Sequence, residues 1–458
     1  MASVGQDRRK LEARLARLGS ERLASELMDL ASDDRDIKRR VKLLALEGDP
    51  HDLGAELKRR IAGLKRASRF VGYRESFGLA TELRELVEAI EEKVLPLDPA
   101  KAFELADAFL ATHRKTFERI DDSSGAVSDV YRDTCKAWLR AAAASAAEKG
   151  WVDRVYEVAA EDDYGVCERL LQEAAILLSE HELRRLAHRY ESDALEDESD
   201  PDRFDSASFS ATVRLGLVAE ALRDPALYER SITLRGRELN DLQRLAIARR
   251  YLDYGQAGPA IERIEAMEDR GNAERWRLLA EAYGRAGRRD EQLQCLWSLL
   301  EGTGHFGTYE EILELLPARE HTEAKERARE AALRLGDLLS AASFLLRIGA
   351  GADAERLTMD RVVELEGAYF AHLKSLAELA GEHSYPRIEM PCYRELLSDI
   401  LKEARSKAYG HAARYFRQLE QLDRAIDDYA PLSDHLVFVD ALRQRHGRKY
   451  AFWRRVEE

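Results

Sequence analysis

The sequence predicts an all-α protein: an irregular α-solenoid of tetratricopeptide-like helix pairs, with a helical N-terminal region and a basic C-terminal helical cap. Three observations carry this expectation. Apolar residues recur at helical spacing along most of the 458-residue chain, with almost no strand alternation. Short Gly-bearing turns separate the stripes. An internal repeat is also visible. Tyr251 is followed by Gly255, Ala260 and Ile264, and Tyr283 by Gly287, Gln292 and Leu296 at the same offsets, 32 residues on. That interval is close to the roughly 34-residue tetratricopeptide period. Trp276, Leu279, Ala280 and Tyr283 match its W-x2-L-G-x2-Y pattern with Ala in place of Gly. A third copy, Ala332, Gly336, Ala341 and Leu345, lies 49 residues further, so the array is irregular.

Composition agrees. A hydrophobic content of 45% excludes wholesale disorder, and 34% charged residues favour solvated helices over sheets. The net charge of −14 argues against general coating of nucleic acid or adhesion to anionic membrane. No stretch approaches the roughly 18 apolar residues of a membrane span, and no signal-peptide core follows the polar start. A cytoplasmic location is therefore expected. Cys135, Cys167, Cys295 and Cys392 show no zinc spacing and are expected as reduced core thiols.

Taken in order, residues 1–95 form the N-terminal helical region. Leu11, Leu15 and Leu18 share one face, and Leu79, Leu83, Leu86, Val87 and Ile90 make a wider stripe. Basic clusters lie between them: Lys38, Arg39, Arg40 and Lys42, then Lys58, Arg59, Arg60, Lys65, Arg66 and Arg69. Residues 96–190 form a helical repeat region, opened by Asp98-Pro99 as an N-cap followed by proline at the first helical position. Residues 191–208 crowd acidic side chains against one arginine and read as a linker or loop. Residues 209–384 hold the tetratricopeptide-like solenoid. Residues 385–458 form the basic cap, with a proline-marked loop at 384–391 ahead of it.

Gly302-Thr-Gly304-His-Phe-Gly307 spells a dinucleotide fingerprint, but a helical segment precedes it where that motif requires a strand. Thr308 followed by Glu311 reads as a capping box that starts the next helix. No cofactor is expected. Two acidic corners stand out: Asp121 and Asp122 at one helix–helix turn, and Asp162, Asp163 and Tyr164 at another. Their carboxylates cap the next helices or form a patch for a basic peptide or a hard cation. In the cap, Arg405, Tyr409, His411 and Arg414 lie in one basic, aromatic stretch, and Arg448, Lys449, Trp453 and Arg454 in a second. Such stretches bind phosphates and stack on bases, or close the last apolar face with their charges in water.

Residues 404–416 (ARSKAYGHAARYF), His435 and residues 446–453 (HGRKYAFW) resemble a bacterial family of uncharacterised helical proteins. The corners DDSSG at 121–125 and DDYG at 162–165 are similar to its internal turns. The same stretches resemble regions that follow SWIM-type zinc fingers, although the zinc motif itself, C-x-C followed by C-x-H, is absent. The likeness runs from about residue 100 to the end and implies an all-helical, tetratricopeptide-like fold with no activity to carry over. The expected function is that of a non-catalytic scaffold or adaptor gripping a protein partner. Nucleic-acid association through the basic patches is the second reading, and metal-dependent activity at the acidic corners the third.

Overall fold

A computed structural model describes residues 10–46, 50–145, 150–195, 206–234, 238–268 and 271–457. These residues are helical almost throughout. Among them the one extended pairing is a bridge between Val71 and Ile120. The chain divides into two compact units, Met1–Leu239 and Asn240–Glu458. Each is a solenoid-like succession of packed helices.

In the first unit the helices Tyr73–Glu88 and Pro99–Leu110 both pack on Ala126–Ala144. The apolar stripe of Tyr73–Glu88 points inward: Leu83, Leu86 and Val87 are buried, as is Ile90 just beyond. Asp98 caps its helix as expected, its carboxylate accepting the Lys101 amide at 3.0 Å with Pro99 at the first position. Trp138 is fully buried, yet its indole N–H is satisfied by Asp107 Oδ1 at 3.0 Å. Arg154 grips the same carboxylate with two bonds of 2.6 and 2.7 Å. Tyr131, also fully buried, shares its hydroxyl with Thr112 and Thr116. Helices Glu180–Leu195 and Ser206–Leu222 pack on each other. The start of the acidic stretch is thus helical, whereas residues 196–205 lie outside the described residues.

In the second unit Asp241–Asp253 packs on Ala257–Glu265, and Ala273–Arg285 on Arg289–Thr303. Gly255 and Gly287 sit at φ of 77° and 72°, where a Cβ is strained. The following amides reach back to the Tyr251 and Tyr283 carbonyls at 2.8 and 2.9 Å, the Schellman closure of a helix end. Ala260, Ile264 and Leu296 are buried at the predicted offsets.

Two local expectations are corrected. Thr308 is not a cap. The helix Phe306–Leu315 starts after Gly304, which is left-handed and ends the preceding helix, and Thr308 lies inside it. Its hydroxyl accepts from Arg277 at 3.1 Å, while Glu311 pairs with the same guanidinium at 2.7 Å. The segment 384–391 is a loop only at its start, because the helix Pro386–Lys402 runs through Pro391. Burial of Ile388, Met390, Pro391 and Cys392 offsets the one backbone bond a mid-helix proline removes. All four cysteines are free and buried.

Candidate functional site

The acidic corners are held by backbone. Asp122 accepts the amides of Val127 and Ser128 at 3.0 and 2.8 Å, and the Ser128 hydroxyl at 2.7 Å. Asp162 accepts the amides of Tyr164 and Cys167 at 3.1 and 2.6 Å. In both corners one aspartate accepts the amide five residues on, Asp122 from Val127 and Asp162 from Cys167. Asp121 turns back on Ser123, whose hydroxyl and amide hold its carboxyl below the ordinary value. Asp163 faces Arg114 at 3.7 Å, and Tyr164 stacks on Phe117 with ring centroids 5.2 Å apart. The second corner is thereby pinned to the helix His113–Phe117. Among the described residues, no group of three or more His, Cys, Asp or Glu side chains is arranged to hold a metal ion.

The basic cap separates into core and surface. Tyr409 is buried, edge-on to Phe452 at 6.1 Å. Trp453 is half-buried, donates its indole N–H to the His446 carbonyl at 3.0 Å and meets Phe416 edge-on. Tyr409 belongs to the apolar cluster of the cap, and Trp453 packs against it. The Lys449 carbonyl accepts the amides of Phe452 and Trp453 and so starts the last helix, Tyr450–Glu457. Arg448 and Arg454 are exposed.

Arg405 and His411 meet in a groove of about 300 Å³. Helices Phe370–Glu382, Pro386–Lys402 and Tyr409–Asp423 build it, with the short turn Ser406–Ala408 at one end. Leu396, Ile400 and Ala408 make the floor, and Tyr415 and Phe370 stand at the sides. Tyr415 is braced by Tyr393, with ring centroids 5.4 Å apart. Phe370 is 53% exposed and touches Tyr369, itself 61% exposed. Two large aromatics in water beside an apolar floor form the kind of patch that marks a binding surface.

Cations rim the groove. Lys374, paired with Glu378 at 3.4 Å, comes from one helix, Arg405 and His411 from the turn and helix opposite, and Arg414 donates to His411 Nδ1 at 3.2 Å. The acid on the wall, Asp399, is paired with Arg405 at 2.9 Å. Between Lys402 and Arg417 five cations stand against one acid, Glu403. Sequence reasoning named the basic, aromatic stretch that holds Arg405, His411, Arg414 and Tyr415 but missed Phe370, Lys374, Leu396 and Ile400. The available signal was the aromatic pair Tyr369-Phe370 opening an amphipathic helix, where aromatics have no core to enter.

The site thus offers recognition chemistry: an apolar floor, exposed aromatics and a positive rim. No described helix is long and apolar enough to cross a membrane. No curated protein matches the chain. A family model does match, over residues 8–455 and hence both compact units: the chain belongs to DUF6880, a family of unknown function.

Proposed function

We propose that the protein is a non-catalytic cytoplasmic scaffold whose second unit binds an acidic segment of a partner protein in the groove between Phe370 and Tyr415. The observation that carries this reading is the pairing of an apolar floor with a cationic rim in a chain of net charge −14. A bulky apolar side chain of the partner would enter the floor. Flanking Asp or Glu would face Lys374, Arg405 and Arg414. Burying one bulky apolar side chain contributes about 1.5–3 kcal/mol, and the rim charges add direction and speed of encounter. The helix pairs closed at Gly255 and Gly287 support a tetratricopeptide-like reading of the unit, and such surfaces bind peptides and helices. Four unpaired, buried cysteines support a reducing compartment.

A photo-crosslinking amino acid in place of Phe370, with Val363 as a second exposed position for comparison, tests the reading in the native host. The expected result is one protein joined at position 370 and not at 363, through an acidic stretch that mass spectrometry identifies. Lys374→Glu with Arg405→Glu is expected to abolish the joint. Equal capture at both positions overturns the groove. A product destroyed by nuclease moves nucleic-acid association to first place, with the exposed Arg448 and Arg454 as its next test.

A further inference from the structure

The first unit holds a second groove of different chemistry, with a volume of about 440 Å³, among the helices Arg35–Ala45, Pro50–Arg66 and Tyr73–Glu88. Five cations line it: Lys38, Arg39, Lys42, Arg59 and Arg60. Two acids do, Glu56 and Glu82. The lining therefore carries a formal surplus of three positive charges. The cations lie at two depths: Lys42 and Arg59 are 51% and 66% exposed and Lys38 is exposed, above two arginines that are not. The Arg60 side chain is 12% exposed and that of Arg39 21%.

The cations are held in place. Glu56, 7% exposed, binds Lys42 at 2.8 Å, Arg59 at 2.8 Å and Arg60 at 3.1 Å. Arg60 also donates to the Arg39 carbonyl at 3.2 Å, tying two helices together. Arg39 pairs with Glu82 and, at 3.6 Å, with the nearly buried Glu85, so this arginine is neutralised within the fold and the surplus positive charge lies on Lys38, Lys42, Arg59 and Arg60 with Glu56. One carboxylate thus positions three cations while neutralising one charge. Lys38 is exposed and has no ion pair among the described residues. Donors fixed before binding lose little side-chain entropy when an anion arrives. Beneath the cations the lining is apolar: half-buried Leu64, with the buried Leu83 and Leu86 behind it. A cationic wall over an apolar floor matches an anion that carries a flat apolar ring.

We infer that this groove binds a phosphorylated small molecule of nucleotide size, its phosphates against Lys38, Lys42 and Arg59 and its ring on the leucine floor. The volume lies in the range of small-molecule sites, and guanidinium forks suit phosphate oxygens. The inference is independent of the groove in the second unit.

The test is titration of the full chain with a fluorescent ribose-labelled ADP at low and moderate salt. Saturable binding is expected, weakening as salt rises. Lys38→Ala with Arg59→Ala should weaken it at least tenfold, while Lys58→Ala, whose partner is Glu104 outside the groove, should leave it within twofold. Circular dichroism melting of each variant checks that the fold is kept, and Lys38→Ala alone breaks no ion pair among the described residues. Tripolyphosphate should compete more weakly than unlabelled ADP, because it lacks the ring. No saturable binding up to millimolar ADP overturns the inference. So does equal competition by tripolyphosphate, which reduces the site to a general anion trap. A single-stranded oligonucleotide binding more than tenfold tighter than ADP overturns it in favour of a nucleic-acid surface.

Discussion

Glu56 in the first unit and Glu389 in the second are nearly matched in burial, at 7% and 6% exposed, and opposite in electrostatics. Glu56 lies among cations, and its carboxyl is lowered to about 2, chiefly by its hydrogen bond to Arg59, with Lys42 and Arg60 adding to it. Glu389 has one polar neighbour of note, the neutral amide of Gln418 at 2.9 Å, and burial pushes its carboxyl up. Gly381 on the adjacent helix leaves it room, since a Cβ there would come within 3.3 Å of Glu389 Oε2. Depth alone therefore does not decide what a buried carboxylate does. The company does: cations make Glu56 an organiser of charge, and its neighbours make Glu389 a strained acid.

The largest effect expected from breaking this contrast is at Glu56. Glu56→Gln keeps the shape and removes the charge, leaving Lys42, Arg59 and Arg60 to repel one another. Loss of a fully buried pair costs about 3–5 kcal/mol. Lys42 and Arg59 are more than half exposed, so about 2 kcal/mol is expected here. Urea unfolding followed by circular dichroism would read it. An unchanged midpoint would mean that the three cations are held by something other than Glu56. The wild-type contribution is also acid-sensitive. Because Glu56 is lowered on folding, its stabilisation is complete above pH 4.5 and lost as pH falls toward about 2.

How much of this was legible in the sequence differs between the two carboxylates. Glu56 stands three and four residues before Arg59 and Arg60, the spacing at which helical side chains meet, so half its environment could be read locally. Lys42 arrives from another helix, and no period reports that. The helices themselves were legible because stripes such as Leu83, Leu86, Val87 and Ile90 encode one face. The turns at Gly255 and Gly287 were legible because a left-handed helix end demands glycine. The groove in the second unit was not. Its residues come from three helices and a turn between positions 370 and 415, and nothing in one helix's period says what the next helix sets beside it. Thr308 and Pro391 were misread for one reason. Spacing and residue type match a local rule, but tertiary contacts, Arg277 for one and core burial for the other, outweigh it.

A third carboxylate sharpens the contrast at intermediate strength. Asp122 is half-buried like its corner and receives backbone amides and one hydroxyl in place of cations. Asp122→Ala removes the acceptor for two amides at the start of the helix Ala126–Ala144. About 1 kcal/mol of destabilisation is expected, the usual worth of a helix cap. Asp122→Asn keeps an acceptor oxygen and should lose less than half of that. A loss equal to that of the alanine variant would mean that the charge, and not the acceptor, holds the corner.

The smallest expected effect has the opposite sign. Glu389→Gln removes a charge that burial penalises and keeps a partner for Gln418, so the variant should equal or exceed the wild type in stability at neutral pH, by at most about 1 kcal/mol. The pH dependence separates this from a packing effect. With its carboxyl raised on folding, native Glu389 holds its proton above pH 4.5, where the unfolded chain has released it. The unfolded state then binds fewer protons, so wild-type stability falls as pH rises through that window. Below pH 4.5 both states are protonated and the two proteins should unfold at the same urea concentration. Their midpoints should part as pH rises toward 7, the variant ahead. A constant offset at every pH would assign the change to packing against Gly381 and return Glu389 to the same class as Glu56, a carboxylate that the fold holds charged at no loss.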